Sequence, residues 1–171
     1  SMVMPMKTEL TKLLQAPFKE SEVEWRLQTC GKTAKGFWAM ALCYLTNRGI
    51  QHRLDEVFGP MGWKNEYREA PQGGILCGIS IYDDAKKEWV TKWDGAENTQ
   101  IDAVKGGLSG SMKRAAVQWG IGRYLYDLPE TFVDCTADKP AKREGWNSAS
   151  TKEKEKFYWK TPNLPSWAKG E

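Results

Sequence analysis

Histidine and cysteine are scarce in this sequence, which has 1 histidine (His52) and 4 cysteines. Cys30, Cys43, Cys77 and Cys135 stand far apart, with no CxxC pair among them. Structural zinc sites are built from close-set Cys and His pairs, so this pattern argues against a metal. Cys43 and Cys77 fall in apolar stretches and read as small core residues, and such cysteine usage fits a reducing cytoplasm. Long hydrophobic runs are also missing. The longest, about residues 36–45, is far short of the roughly 20 residues that cross a bilayer, so no membrane partner is expected. No basic stretch followed by an apolar one opens the chain, and Ser1-Met2 reads as the remnant of a cleaved tag. Internal repeats are absent as well. Nor is there an excess of one charge: 25 Lys and Arg face 22 Asp and Glu, a net +3. That balance does not by itself demand a nucleic-acid partner, which has to be inferred from where the charges sit.

Nucleotide-binding and catalytic signatures are incomplete. Gly31-Lys32-Thr33 carries the ending of a phosphate-binding loop, but the pattern needs a glycine where Arg26 stands. No ATP or other cofactor is expected. His52 lies on a helix off its apolar stripe and reads as a surface or packing residue. Asp94 and Glu97 follow a strand and read as an acidic turn. No enzyme is indicated.

What the chain does have is 9 tryptophans in 171 residues, enough length for a single domain with a real core. Tryptophans in strand-like alternation read first as packing, and base stacking is the alternative use. Residues 6–16 read as a short amphipathic helix closed by Pro17. Residues 21–30 are mixed, and 31–36 form a basic loop bounded by glycines. A buried strand over 37–45 leads into a helix capped by Thr46 or Asn47 and stopped by Gly59-Pro60. Residues 63–69, 74–82 and 88–93 read as three antiparallel strands, with Ile75, Cys77, Ile79 and Ile81 on one face. A long helix over about 99–119 follows. Its Ile101, Val104, Leu108, Met112, Ala115, Ala116 and Trp119 fall in a stripe about 120° wide. This order predicts an α+β fold, a curved antiparallel sheet (a β-β-β-α core) packed against one long helix. The predicted organisation is 1–20 as tag remnant and short helix, 21–130 as the core domain, and 131–171 as a Lys/Trp/Pro-rich arm.

The other face of the long helix gathers Gly106, Gly107, Ser109, Gly110, Lys113 and Arg114. A mid-helix glycine costs roughly 1 kcal/mol relative to alanine, so several on one side need a reason. Close approach by another backbone or by a sugar-phosphate strand is one, and close packing against a neighbouring subunit is the other.

Two stretches carry a resemblance. The first is Tyr44-Leu45-Thr46-Asn47-Arg48, continuing through Arg53-Leu54-Asp55-Glu56-Val57-Phe58-Gly59 to Gly62-Trp63. The second runs from Trp93-Asp94-Gly95-Ala96-Glu97 through Ala103-Val104-Lys105-Gly106-Gly107 and Lys113-Arg114-Ala115-Ala116 to Trp119-Gly120-Ile121-Gly122-Arg123-Tyr124-Leu125-Tyr126. Over about residues 20–130 the chain resembles the Rad-fifty-two family of single-strand annealing proteins, most of all its bacteriophage Sak-type branch. The resemblance implies assembly into a multi-subunit homo-oligomeric ring that binds single-stranded DNA and anneals complementary strands in recombination and repair, without ATP. Backbone-only binding would be sequence-tolerant and would leave bases free to test a second strand. The resemblance also implies that Lys113 and Arg114 line the DNA groove, with Arg26, Tyr44 and Ser109 as further contacts. A single-strand-binding protein is a further possible partner, and the bacterial or phage-infected cytoplasm the expected setting.

Val117 departs from the family, standing where eukaryotic members have another arginine; Lys32, Lys35, Lys105 or Arg123 could compensate. The rival readings are a DNA-end protector that does not anneal, a ring scaffold without nucleic acid, and a hot-dog-like small-molecule enzyme relying on Asp102.

Overall fold

Residues 23–45 form a long two-stranded hairpin in the computed structural model, which describes residues 7–96 and 103–170, with side chains in the second stretch from 107 onwards. Strand β1 (Val23–Thr33) pairs antiparallel with β2 (Gly36–Leu45), the turn falling at Ala34 and Lys35. This corrects the expectation of a loop over 31–36. Gly31 is a strand residue opposite Trp38, and a Cβ there would come within 2.8 Å of the Trp38 indole nitrogen. The glycine serves close approach rather than a turn. The register slips between Leu27 and Thr29, a bulge that redirects the distal half of the hairpin.

Helix α1 (Lys7–Gln15) precedes the hairpin, and α2 (Asn47–Phe58) follows it. Thr46 caps α2 by accepting from the Gly49 N–H at 3.0 Å. Gly59, at φ 75°, closes it with its N–H on the Asp55 carbonyl. Arg53 of α2 is buried, stacked 3.9 Å over the Phe18 ring. Its Nη1 donates to the carbonyls of Leu13, Leu14 and Ala16 at 2.9–3.0 Å, satisfying the C-terminal end of α1.

Strands β3 (Trp63–Glu69), β4 (Ile75–Asp83) and β5 (Glu88–Ala96) form an antiparallel sheet in the order β3-β4-β5. Helix α3 (Ala103–Gln118) packs across β4 and β5. The expected β-β-β-α unit is therefore present, its helix described from Ala103 onwards. Cys77, Ile79 and Ile81 meet Met112, Ala115 and Ala116 in the main core, where Leu14, Leu45, Ile50, Leu54 and Ile121 join them. Trp119, just past α3, donates its indole N–H to the Ile79 carbonyl at 2.9 Å.

The architecture is the expected α+β; among the described residues it comprises three three-stranded antiparallel sheets and three α-helices, of which α3 is the longest. Strand β6 (Thr131–Phe132) extends the hairpin beside β2. Strands β7 (Cys135–Thr136), β8 (Trp146–Ser150) and β9 (Lys156–Lys160) make the third sheet. Phe157 and Trp159 of β9 share a second core with Ala39 and Ala41 of β2, and Phe37 stacks on Phe157 at 4.9 Å. The hairpin is thus held at its base by the main core and along its length by the C-terminal residues.

Candidate nucleic-acid interface

Register decides which hairpin side chains meet. Glu24 and Arg26 lie two apart on β1 and share a face, with Tyr44 and Leu42 directly opposite them on β2. Helix α3 delivers Lys113 to this same place. The Lys113 ammonium sits 3.5 Å from Glu24 Oε1 and 5.5 Å from the centre of the Tyr44 ring. Arg26 Nη2 reaches the same carboxylate oxygen at 2.8 Å. Two cations from two elements therefore converge on one anionic position beside a half-exposed tyrosine.

Their environments differ. The Arg26 side chain is 61% exposed and that of Lys113 only 17%. Burial pulls the Lys113 ammonium below its ordinary pKa, the charge of Arg26 adds to this, and Glu24 opposes both. Ser109 lies one helical turn before Lys113 and Val117 one turn after, on the same side of α3. Beyond Lys113 a mostly apolar cavity of about 290 Å³ runs between β2 and the end of α3, lined by Trp25, Cys43, Val117, Leu125 and Tyr126 among others. Burial there pushes the Cys43 thiol up to about 12, with Glu24 adding to the shift.

The width of this groove is fixed at its floor. Gly122 adopts φ 78°, and a Cβ on it would lie 2.6 Å from Leu45 Cδ1. Only glycine accepts both that conformation and that approach.

Arg114 goes elsewhere. It is exposed and lines a separate polar depression with Ala70, Gly73, Leu76 and Gly95, at the far end of the β3-β4-β5 sheet. Successive helix positions diverge by 100°, so neighbours in sequence are not neighbours on the surface. Gly110, one turn earlier, explains itself in the same direction: a Cβ there would come within 3.1 Å of Ala96 Cβ. That glycine admits β5 of its own chain, a close approach from within the fold rather than from a phosphate strand or a neighbouring subunit.

The remaining basic candidates are dispersed. Lys32 pairs with Glu155 at 2.9 Å and lies over the Phe37 ring, tying the hairpin to the C-terminal residues. Lys35 stands exposed in the hairpin turn. Arg123 donates to the carbonyls of Val117 and Gln118 at 2.8 and 3.3 Å, capping the C-terminus of α3. The side chain of Lys105 lies outside the described residues, as do Glu97 and Asp102. Asp94 accepts from the Gly95 N–H and from Gln118 Nε2, a structural role at the helix end. His52 is exposed, with Nδ1 3.4 Å from Glu22. Among the described residues no three His, Cys, Asp or Glu side chains gather to hold a metal ion, and no helix is long and apolar enough to cross a membrane.

Glu24 is the residue that sequence reasoning missed. A search for phosphate-binding groups looks for cations, and nothing local marks this glutamate out. Only the pairing of β1 with β2, and the reach of Lys113 across them, gives it a position.

A β-β-β-α unit with a basic helix residue set against a hairpin places the chain in a known class. It matches the Rad52/22 family of double-strand break repair proteins over residues 7–144 and belongs to that family. Among individual relatives, it is 33% identical over 164 residues to the single-stranded DNA-binding protein DdrA of Deinococcus radiodurans, spanning 95% of this chain and 68% of that one. DdrA of Deinococcus deserti, also a single-stranded DNA-binding protein, is 31% identical over 170 residues, spanning 95% of this chain and 71% of the relative.

Proposed function

We propose that this protein binds single-stranded DNA by its phosphates, in the groove between the β1-β2 hairpin and α3, and anneals complementary strands without ATP. The observation that carries the reading is the convergence of Arg26 and Lys113 on one anionic position, 2.8 and 3.5 Å from the same oxygen. A phosphate oxygen placed there would receive both cations, with Tyr44 alongside. Such contacts hold a strand without reading its sequence. Base pairing supplies the free energy of annealing, so the protein needs no catalytic group and is not an enzyme. Arg26, Lys113, Tyr44 and Ser109 are the proposed contacts of the groove. Arg114 would meet the strand only where it leaves toward the β3-β4-β5 sheet. Residues 21–130 are the annealing unit, and 131–171 an arm that braces its hairpin.

Family membership and the names of the DdrA relatives support the binding half of this reading. A multi-subunit ring of identical chains, acting on DNA in the bacterial cytoplasm, is the assembly we favour, because a strand longer than one groove needs grooves in series. Binding without annealing, as in protection of DNA ends, is a second reading, favoured by relatives whose names stop at binding. Two complementary fluorescent oligonucleotides mixed without ATP decide between them. Duplex formation faster than the spontaneous rate supports annealing. Salt-sensitive binding without acceleration supports end protection, and no binding at low salt refutes both.

A further inference from the structure

We propose that Glu24 is a built-in competitor for the DNA phosphate, an internal anion that holds the groove's cations until a strand displaces it. The inference rests on the binding reading above and adds to it the residue that sets how tightly the groove holds.

Three observations carry it. One carboxylate oxygen, Glu24 Oε1, lies 2.8 Å from Arg26 Nη2 and 3.5 Å from Lys113 Nζ, the position a non-bridging phosphate oxygen would take. The Glu24 side chain is 38% exposed, so an incoming strand can reach it and the carboxylate can swing out to solvent. Finally, Lys113 is mostly buried beside a second cation, and its own burial and Arg26 both disfavour its charge. Without an anion between them, two like charges would face each other in a partly desolvated groove. Glu24 supplies that anion in the free protein.

Binding is therefore an exchange of one anion for another rather than the making of new ion pairs. Each phosphate gains less than a pair of bare cations would give it. The exchange works equally well in reverse, so a bound strand can be released as Glu24 returns. A groove of this kind favours hand-over of a strand to its complement over permanent storage.

The test is fluorescence anisotropy with a labelled oligothymidylate, using wild-type protein, Glu24→Gln, Arg26→Ala with Lys113→Ala, and the triple variant. Glutamine keeps the shape and removes the charge. The expected result is binding about three- to tenfold tighter for E24Q, in the range of a partly screened ion pair. No such gain is expected when the two cations are already gone. Unchanged or weaker binding by E24Q overturns the proposal. So does an equal gain in both backgrounds, which would reduce Glu24 to a contribution to net charge. If removing Arg26 and Lys113 leaves binding intact, the groove itself is misplaced, and that result identifies the failure as belonging to the binding reading. Circular dichroism melting of each variant separates lost folding from lost binding.

Discussion

Replacing Lys113 by alanine is the most direct probe of the groove. Its ammonium is one of two cations that meet at the proposed phosphate position, and it is the less exposed of the pair. Each phosphate neutralised on a single strand contributes about 0.7 to the slope of log K against log salt. Lys113→Ala should therefore flatten that slope by up to about 0.7 and weaken binding roughly fivefold near 0.1 M salt, a charge-assisted contact of about 1 kcal/mol. Arg26→Ala with Lys113→Ala vacates the same single phosphate position, so the pair together should flatten it by about 0.7 in all. Lys113 and Arg114 are adjacent in sequence but face different parts of the surface. Arg114→Ala alone should therefore change the slope less than Lys113→Ala does. The assay is an anisotropy titration with oligothymidylate at several salt concentrations, with the losses expected to be the same for other base compositions. A flat response to Lys113→Ala in a normally folded protein, with Arg114→Ala changing the slope instead, would refute the path between β2 and α3.

Other expectations follow from particular contacts. Arg53→Met should cost about 2–4 kcal/mol in urea unfolding, because three carbonyls at the end of α1 and just beyond it lose their donor; a loss under about 0.5 kcal/mol would show that water replaces it freely. Gly122→Ala should both destabilise the protein and weaken DNA binding, since the added methyl meets Leu45 at the base of the groove; loss of stability without loss of affinity would uncouple the two. The Cys43 thiol, raised from 9.0 to about 12, ionises more readily in the unfolded chain than in the folded one. Its contribution to stability is full below pH 9.0 and lost as the pH rises toward 12, and Cys43→Ala should remove that part of the alkaline decline in the urea midpoint.

The sequence shows some of these elements plainly and hides others for physical reasons. The β3-β4-β5 sheet and α3 were legible because Cys77, Ile79 and Ile81 alternate with the small Gly78 and Ser80, and Met112, Ala115 and Ala116 recur at helical spacing. The far end of the hairpin was not, because 31–36 has the composition of a turn while Gly31 is there to admit the Trp38 indole. Strand β9 hid for the opposite reason. Phe157, Tyr158 and Trp159 are all buried, and a strand covered on both faces shows no alternation. Among the groove residues, Arg26, Tyr44 and Lys113 carried a resemblance and prove to be neighbours. Arg114 carried the same resemblance and lies apart, and Glu24 depends on a strand register that composition does not reveal.

Gly122 has a consequence of a mechanical kind. The hairpin and the turn that follows α3 meet near the groove floor, where Leu45 rests against a residue without a side chain. That contact acts as a shim of minimum thickness, setting the gap between Tyr44 and Lys113 from below. A drifting sequence could exchange many groove side chains and keep the gap. It could not exchange this one without prising the two walls apart. The dimension of the proposed strand-binding groove is thus held by an atom the protein leaves out.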